Sequence, residues 1–157
     1  MKKTSYGYRF ALLHRLHGAM CRNEILQAGI QLSQLPFLLE LVQESSPVTQ
    51  DCLSNQIAID KGTTARAISQ LEKKGFVTRV TNMENRRQNL VSATEKSHGV
   101  AGELFSALDR AAQILVQGFS DEEQAVVLDL MDRMIANARK AINDQPDRAG
   151  KLGQSTR

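Results

Sequence analysis

Tryptophan is missing altogether, and aromatic residues make up only 4% of the 157 positions. A core with so few rings has to be filled mostly by Leu, Ile, Val, Met and Ala, which favours helix over sheet. No apolar run reaches the roughly 18 residues needed to span a bilayer, so no membrane partner is expected. The start of the chain carries Lys2 and Lys3 but no apolar segment with a small-residue cleavage site, so secretion is not expected. Cysteine is scarce: Cys21 and Cys52 make no disulfide framework, and a reducing cytoplasm suits them best. A Gly-rich phosphate loop, a nucleophile elbow and a paired-carboxylate setting are all lacking. The chain therefore offers no catalytic residues, and neither a cofactor nor a resident metal is expected.

What is present is a local excess of positive charge. The whole chain carries +3, yet residues 60–96 hold eight cations against four acids, a net +4 that leaves the remainder at −1. A basic block that coincides with one structural unit points to a polyanionic partner.

Helical periodicity dominates the pattern. Residues 5–28 predict one helix, with Phe10, Leu13, Leu16 (or His17), Met20 and Ile25 recurring along it and Gly29 ending it. Ser33 is a candidate N-cap for a buried helix that has Pro36 in its first turn and stops at "ESSP". Thr49 caps a short helix expected to bury Leu53, Ile57 and Cys52. A tight connection leads to a helix near 62–74, on which Thr64, Ala67, Ile68 and Leu71 share one face and Gly75 supplies the left-handed end. Two short helices so joined make a helix-turn-helix. "FVTRVT" and "NLVSAT", separated by "NMENRRQ", then predict a β-hairpin. Beyond Thr94 come two more helices, the second opened by a Ser120/Glu123 capping box. The fold class is thus mainly α with one small hairpin, a winged helix-turn-helix. Its expected divisions are an N-terminal helix (1–32), a winged lobe (33–96), C-terminal helices (97–142) and a flexible tail (143–157).

With the apolar face of the central helix turned inward, the opposite face carries Thr63, Ala65, Arg66, Ser69, Gln70 and Lys73. Small hydroxyls, an amide and cations suit a major groove: Arg pairs with guanine, Gln with adenine, and methyl groups touch thymine. Arg86 and Arg87 near the hairpin tip can reach phosphates or a flanking minor groove. Double-stranded DNA is the partner these features fit. A winged-helix module that docks a protein instead would be expected to show a face depleted of cations.

The stretch "LSNQIAIDKGTTARAISQLEKKGFVTRVTNMENRRQNLVSATEKSHG" resembles the MarR family of transcriptional regulators. The matching positions are Asp60, Lys61, Gly62, Thr63, Arg66, Leu71, Glu72, Gly75, Val77, Arg79, Arg87 and Thr94. "GFSDEEQAVVLDLMDRM" resembles the family's final dimerisation helix, so the likeness runs over nearly the whole chain. Asn85 stands where the family has a wing aspartate, Ala65 where many members have Thr, and Ser97 and His98 alter the run after the wing. The resemblance implies a cytoplasmic, nucleoid-associated regulator, more often a repressor, that binds a pseudo-palindromic operator as a homodimer. The terminal helices, with more apolar surface than one small lobe can cover, accord with the dimer. Lys61, Lys73 and Arg79 are candidates for phosphate contacts, and Thr63, Arg66 and Gln70 for base edges.

The resemblance also implies an input signal, in many members a small organic ligand held between the dimer helices and the DNA-binding lobe. Candidate lining residues are His14, Arg15, His17 and Cys21, with Arg22 a second cation nearby. The i, i+3, i+7 spacing of His14, His17 and Cys21 is also compatible with zinc, but a fourth ligand has to come from elsewhere. The family's peroxide sensors place their cysteine near the start of the first long helix, where this chain has Tyr6, Gly7 and Tyr8.

Overall fold

Helix α1 (Tyr6–Met20) begins where the Ser5 hydroxyl accepts a hydrogen bond from the Tyr8 amide, 3.2 Å away. In this computed structural model, which describes residues 5–144, the helix does not run on to 28. It breaks at Cys21 (φ −97°, ψ 4°) and α2 (Arg22–Gln27) follows. Cys21 and Ile25 are both buried, and the Cys21 thiol points at the Ala107 carbonyl, 3.7 Å away. A one-residue offset leaves the 3.6-residue periodicity almost unchanged, so the apolar pattern could not reveal it. Gly29 ends the second segment at φ +82°.

Helix α3 (Leu35–Gln43) starts after Gln34 rather than Ser33. The Gln34 amide donates to the Gln31 carbonyl at 2.9 Å, closing a turn that delays the helix, and Ser33 is left exposed outside it. Pro36 does lie in the first turn, where its missing N–H removes no helical bond. Strand β1 (Val48–Thr49), too short to show any alternation, precedes α4 (Gln50–Gln56), which Thr49 caps through a 3.1 Å bond from the Cys52 amide. Cys52 itself is exposed. The buried stripe of this short helix is Leu53 and Ser54, and the Ser54 hydroxyl donates to the Ile59 carbonyl at 2.5 Å.

Helix α5 (Lys61–Lys73) buries Thr64, Ala67, Ile68 and Leu71, and Gly75 follows at φ +76°. Strands β2 (Val77–Thr81) and β3 (Asn89–Ala93) form the hairpin, with Arg79 opposite Val91, and β1 pairs on the other side of β3. The sheet is antiparallel in the order β1-β3-β2. Helix α6 (Glu95–Leu115) enters from the wing, and its Ser97 hydroxyl donates to the Phe76 carbonyl. Phe37, Leu38, Leu53, Ile68, Leu71, Phe76, Val91 and Leu104 are each 0–1% exposed and form one apolar core. Burying a side chain of this size contributes about 1.5–3 kcal/mol.

The chain divides into two compact units, one reaching Ile114 and the other beginning at Leu115. Most of α6 therefore falls in the first unit. The second unit contains α7 (Asp121–Asn143), opened by the Ser120/Glu123 capping box in which both reciprocal bonds are made. On α7, Leu130, Met131, Met134, Ile135 and Ile142 are exposed. On α1, Phe10, Leu13, Leu16 and Met20 are exposed as well. The expected tail lies outside the described residues, except for Asn143 and the cap Asp144. Among the described residues no helix is long and apolar enough to cross a membrane.

Candidate nucleic-acid interface

The interface is built on the exposed side of α5. Asp60 caps the helix through a 2.9 Å bond from the Thr63 amide, and the Thr64 hydroxyl donates to the Asp60 carbonyl at 3.0 Å. Hydrogen bonds from the Thr63 hydroxyl and amide, with Arg66 nearby, hold the Asp60 carboxyl below its ordinary value. The Arg66 guanidinium donates to the Thr63 hydroxyl at 2.9 Å, which fixes its stem along the first helical turn. At Gly62 a Cβ would sit 3.3 Å from an Asp60 carboxylate oxygen and 3.6 Å from the Arg66 guanidinium, so a larger residue would crowd the cap.

Lys61, Gly62, Ala65, Arg66, Gln70 and Lys73 are all exposed, with Thr63 and Ser69 half-buried. Lys61 pairs with Asp51 of α4 at 2.9 Å, an ion pair open to water. Arg86 and Arg87 are exposed in the wing turn. That turn is shaped by side chains: the Asn82 oxygen accepts from the Glu84 amide at 3.0 Å and the Asn85 oxygen from the Arg87 amide at 3.2 Å. Asn85 thus orders the wing by an Asx turn without a charge. A depression of about 230 Å³ is lined by Asp51, Lys61, Ala65, Arg87 and Asn89, among others, so the helix and the wing open onto one surface. Arg79 differs from the other cations. Its guanidinium lies 2.6 Å from the Glu72 carboxylate, and the two side chains are 30% and 34% exposed.

Three residues hold this face in place, and two of them, Lys74 and Gln34, the sequence did not single out. Lys74 donates to the Gly29 carbonyl at 2.9 Å and to the Gln34 side-chain oxygen at 3.1 Å. Gln34, 1% exposed, donates in turn to the Gln70 side-chain oxygen at 2.8 Å. Glu72 is the third, through Arg79. Nothing in the local sequence marks Gln34, because its side-chain partners Gln70 and Lys74 lie 36 and 40 positions away.

A second, largely apolar cavity of about 700 Å³ opens beside this lobe. His14, His17 and Cys21 line it, together with Leu32, Ser33 and Thr63. Arg15 is exposed and does not line it. Burial, followed by the nearby Glu24 carboxylate, pushes the Cys21 thiol up, which opposes thiolate chemistry there. Among the described residues no group of three His, Cys, Asp or Glu side chains is arranged to hold a metal ion.

The MarR family model matches residues 33–88. A MarR transcriptional regulator from Methanosarcina mazei Go1 is 31% identical and superposes with a TM-score of 0.81, covering 86% of this chain and 96% of its own. Among curated proteins, the uncharacterized HTH-type transcriptional regulator YybA of Bacillus subtilis (strain 168) is 27% identical over 99 residues. That alignment takes in 63% of this chain and 66% of the relative, just under two thirds of its length. A Listeria monocytogenes chain complexed with 26mer DNA superposes with a TM-score of 0.81 over 95% of this chain and 99% of its own. At 20% identity, that last likeness is one of fold.

Proposed function

The chain belongs to the MarR family of transcriptional regulators, which are not enzymes, and we propose that it binds an operator in double-stranded DNA as a homodimer. The observation that carries this reading is the shared surface of α5 and the wing. Arg66, Gln70 and Lys73 are exposed on the helix, and Arg87 faces Lys61 and Ala65 across one depression. The first three turns of α5 enter the major groove; Arg66, Gln70 and Thr63 meet base edges, while Lys61, Lys73, Arg86 and Arg87 neutralise phosphates. The fold likeness to a chain complexed with DNA supports DNA as the partner.

Dimerisation is supported by the apolar residues that α1 and α7 each leave exposed, which a second copy can cover. Two copies present two recognition helices to a pseudo-palindrome with half-sites about one turn apart. The apolar cavity is the seat for a small organic ligand. Its wall includes Thr63, the acceptor for Arg66, and Ser33 and Leu35, which flank Gln34. A ligand that engages Thr63 or shifts this segment alters the base-reading side chains and releases DNA, which is the logic of a repressor. Action at the nucleoid, in the cytoplasm, follows from the same reading.

Fluorescence anisotropy of the purified protein tests it, using the chain's own upstream DNA and a scrambled duplex at two salt concentrations. Selective binding that weakens steeply with salt is expected. Equal, weak binding to both duplexes, unchanged by Arg66→Ala, would instead favour a winged-helix module that docks a protein.

A further inference from the structure

The recognition face carries one amide, Gln70, and the interior decides which end of it meets the DNA. Gln34 is buried, and its side-chain oxygen accepts from the Gln31 backbone amide at 3.0 Å and from the Lys74 ammonium at 3.1 Å. Both of those groups can only donate, so the Gln34 amide has a single orientation. Its NH2 then points to Gln70, whose side-chain oxygen accepts at 2.8 Å. Turned the other way, Gln70 would set one NH2 against another at that distance with nothing to accept. The Gln70 oxygen is thus committed inward, and its NH2 faces the exposed side of α5.

We propose that Gln34 is a positioning residue that makes Gln70 read its base as a hydrogen-bond donor only; this rests on the DNA-binding reading above. A glutamine free to use both ends pairs with adenine in a bidentate manner, its oxygen accepting from N6 and its NH2 donating to N7. Gln70 keeps only the second half of that contact. A lone donor matches the major-groove acceptors of guanine (N7, O6) and thymine (O4), retains one bond to adenine N7, and meets the N4 amino group of cytosine donor to donor. Gln70 therefore rejects cytosine, accepts guanine and thymine, and holds adenine by N7 alone. Lys74 completes the arrangement: anchored on the Gly29 carbonyl at 2.9 Å, it holds the Gln34 oxygen in place from the end of the recognition helix.

The full-length protein can be taken through selection and sequencing from a duplex pool randomised across both half-sites, in parallel with Gln70→Ala, Gln34→Glu and Gln34→Met. Gln70→Ala identifies the position Gln70 reads, as the one whose preference is lost. There the parent is expected to enrich guanine or thymine over cytosine by about tenfold or more. Gln34→Glu preserves both acceptor contacts, to Gln31 and Lys74, but has nothing to donate. Gln70 must then turn its NH2 inward and its oxygen outward, and the preference at that one position is expected to invert toward cytosine or adenine. Gln34→Met removes the constraint, so adenine gains its second bond and rises above thymine at that position; it is the reserve should the Glu variant fail to fold, as judged by circular dichroism. An unchanged preference in a folded Gln34 variant overturns the inference while leaving DNA binding intact. A parent that enriches no sequence overturns the DNA-binding reading itself.

Discussion

The Arg79 guanidinium of β2 rests 2.6 Å from the Glu72 carboxylate of α5, so the recognition helix and the wing are fastened by one ion pair. With each side chain roughly one-third exposed, water screens the pair, and it contributes about 0.5–1 kcal/mol. Because Glu72 neutralises Arg79, Arg79→Ala is expected to lower stability by that amount and to change the salt dependence of DNA binding less than Arg86→Ala does. Glu72→Gln frees the guanidinium for phosphate and is expected to steepen the slope of log K against log salt by up to about one. Titrations at four salt concentrations check both. A slope in Glu72→Gln equal to the parent's refutes the neutralisation.

Arg66 is held by Thr63 at 2.9 Å, at the start of the exposed face. Arg66→Ala is expected to cost about 1–3 kcal/mol of binding to a selected operator and to relax preference at one base position. Lys73→Ala, by contrast, is expected to weaken all sequences alike. Competition against mismatched duplexes distinguishes a base contact from a phosphate contact.

Ala58, in the connection between α4 and α5, has φ +53° without being glycine. An L-residue there costs about 1–2 kcal/mol, partly offset by the lower chain entropy it brings to the unfolded state. Ala58→Gly is expected to stabilise the lobe by up to about 1 kcal/mol in urea denaturation. A lower midpoint in the variant would mean that the turn is not strained.

Acid should loosen the start of the recognition helix. The Asp60 carboxyl is held below its ordinary value by Thr63, so the folded state binds that proton less readily than the unfolded chain. Its contribution is therefore complete above the ordinary carboxylate value and is lost as pH falls through the depressed one. Asp60→Asn keeps a capping oxygen but does not titrate, and its stability is expected to fall less than the parent's below about pH 4. Denaturation midpoints between pH 3 and 6 decide this; parallel curves would refute it.

The two thiols should separate cleanly. Cys52 is exposed, whereas Cys21 is 1% exposed with its thiol raised by burial. One thiol per chain is expected to react with an aromatic disulfide reagent in the native protein and two in denaturant. Cys52→Ser should leave none that reacts at once. Rapid reaction of Cys21 would mean that the α1–α2 break opens readily.

Much of this protein was legible along the chain, because the signals involved act between near neighbours. The Thr49 and Ser120 caps, Gly75 at its positive φ and the Thr64, Ala67, Ile68, Leu71 stripe depend on contacts within a turn or two, and each is found where its residues place it. The exposed arginines follow from the same periodicity, since turning one face inward turns the other out. The break at Cys21, the two-residue β1 and the exposure of Cys52 were hidden: each departs by one position from a regular pattern, or is too short to make one. The link from Lys74 through Gln34 to Gln70 spans 36 to 40 positions and exists only once α3 and α5 have packed. The residues by themselves determined most of the elements, the charge on the recognition face and the family. Only the tertiary structure decided which end of Gln70 faces outward and that Arg79 is bound to Glu72, because the direction of a hydrogen bond depends on the partner that packing brings to it.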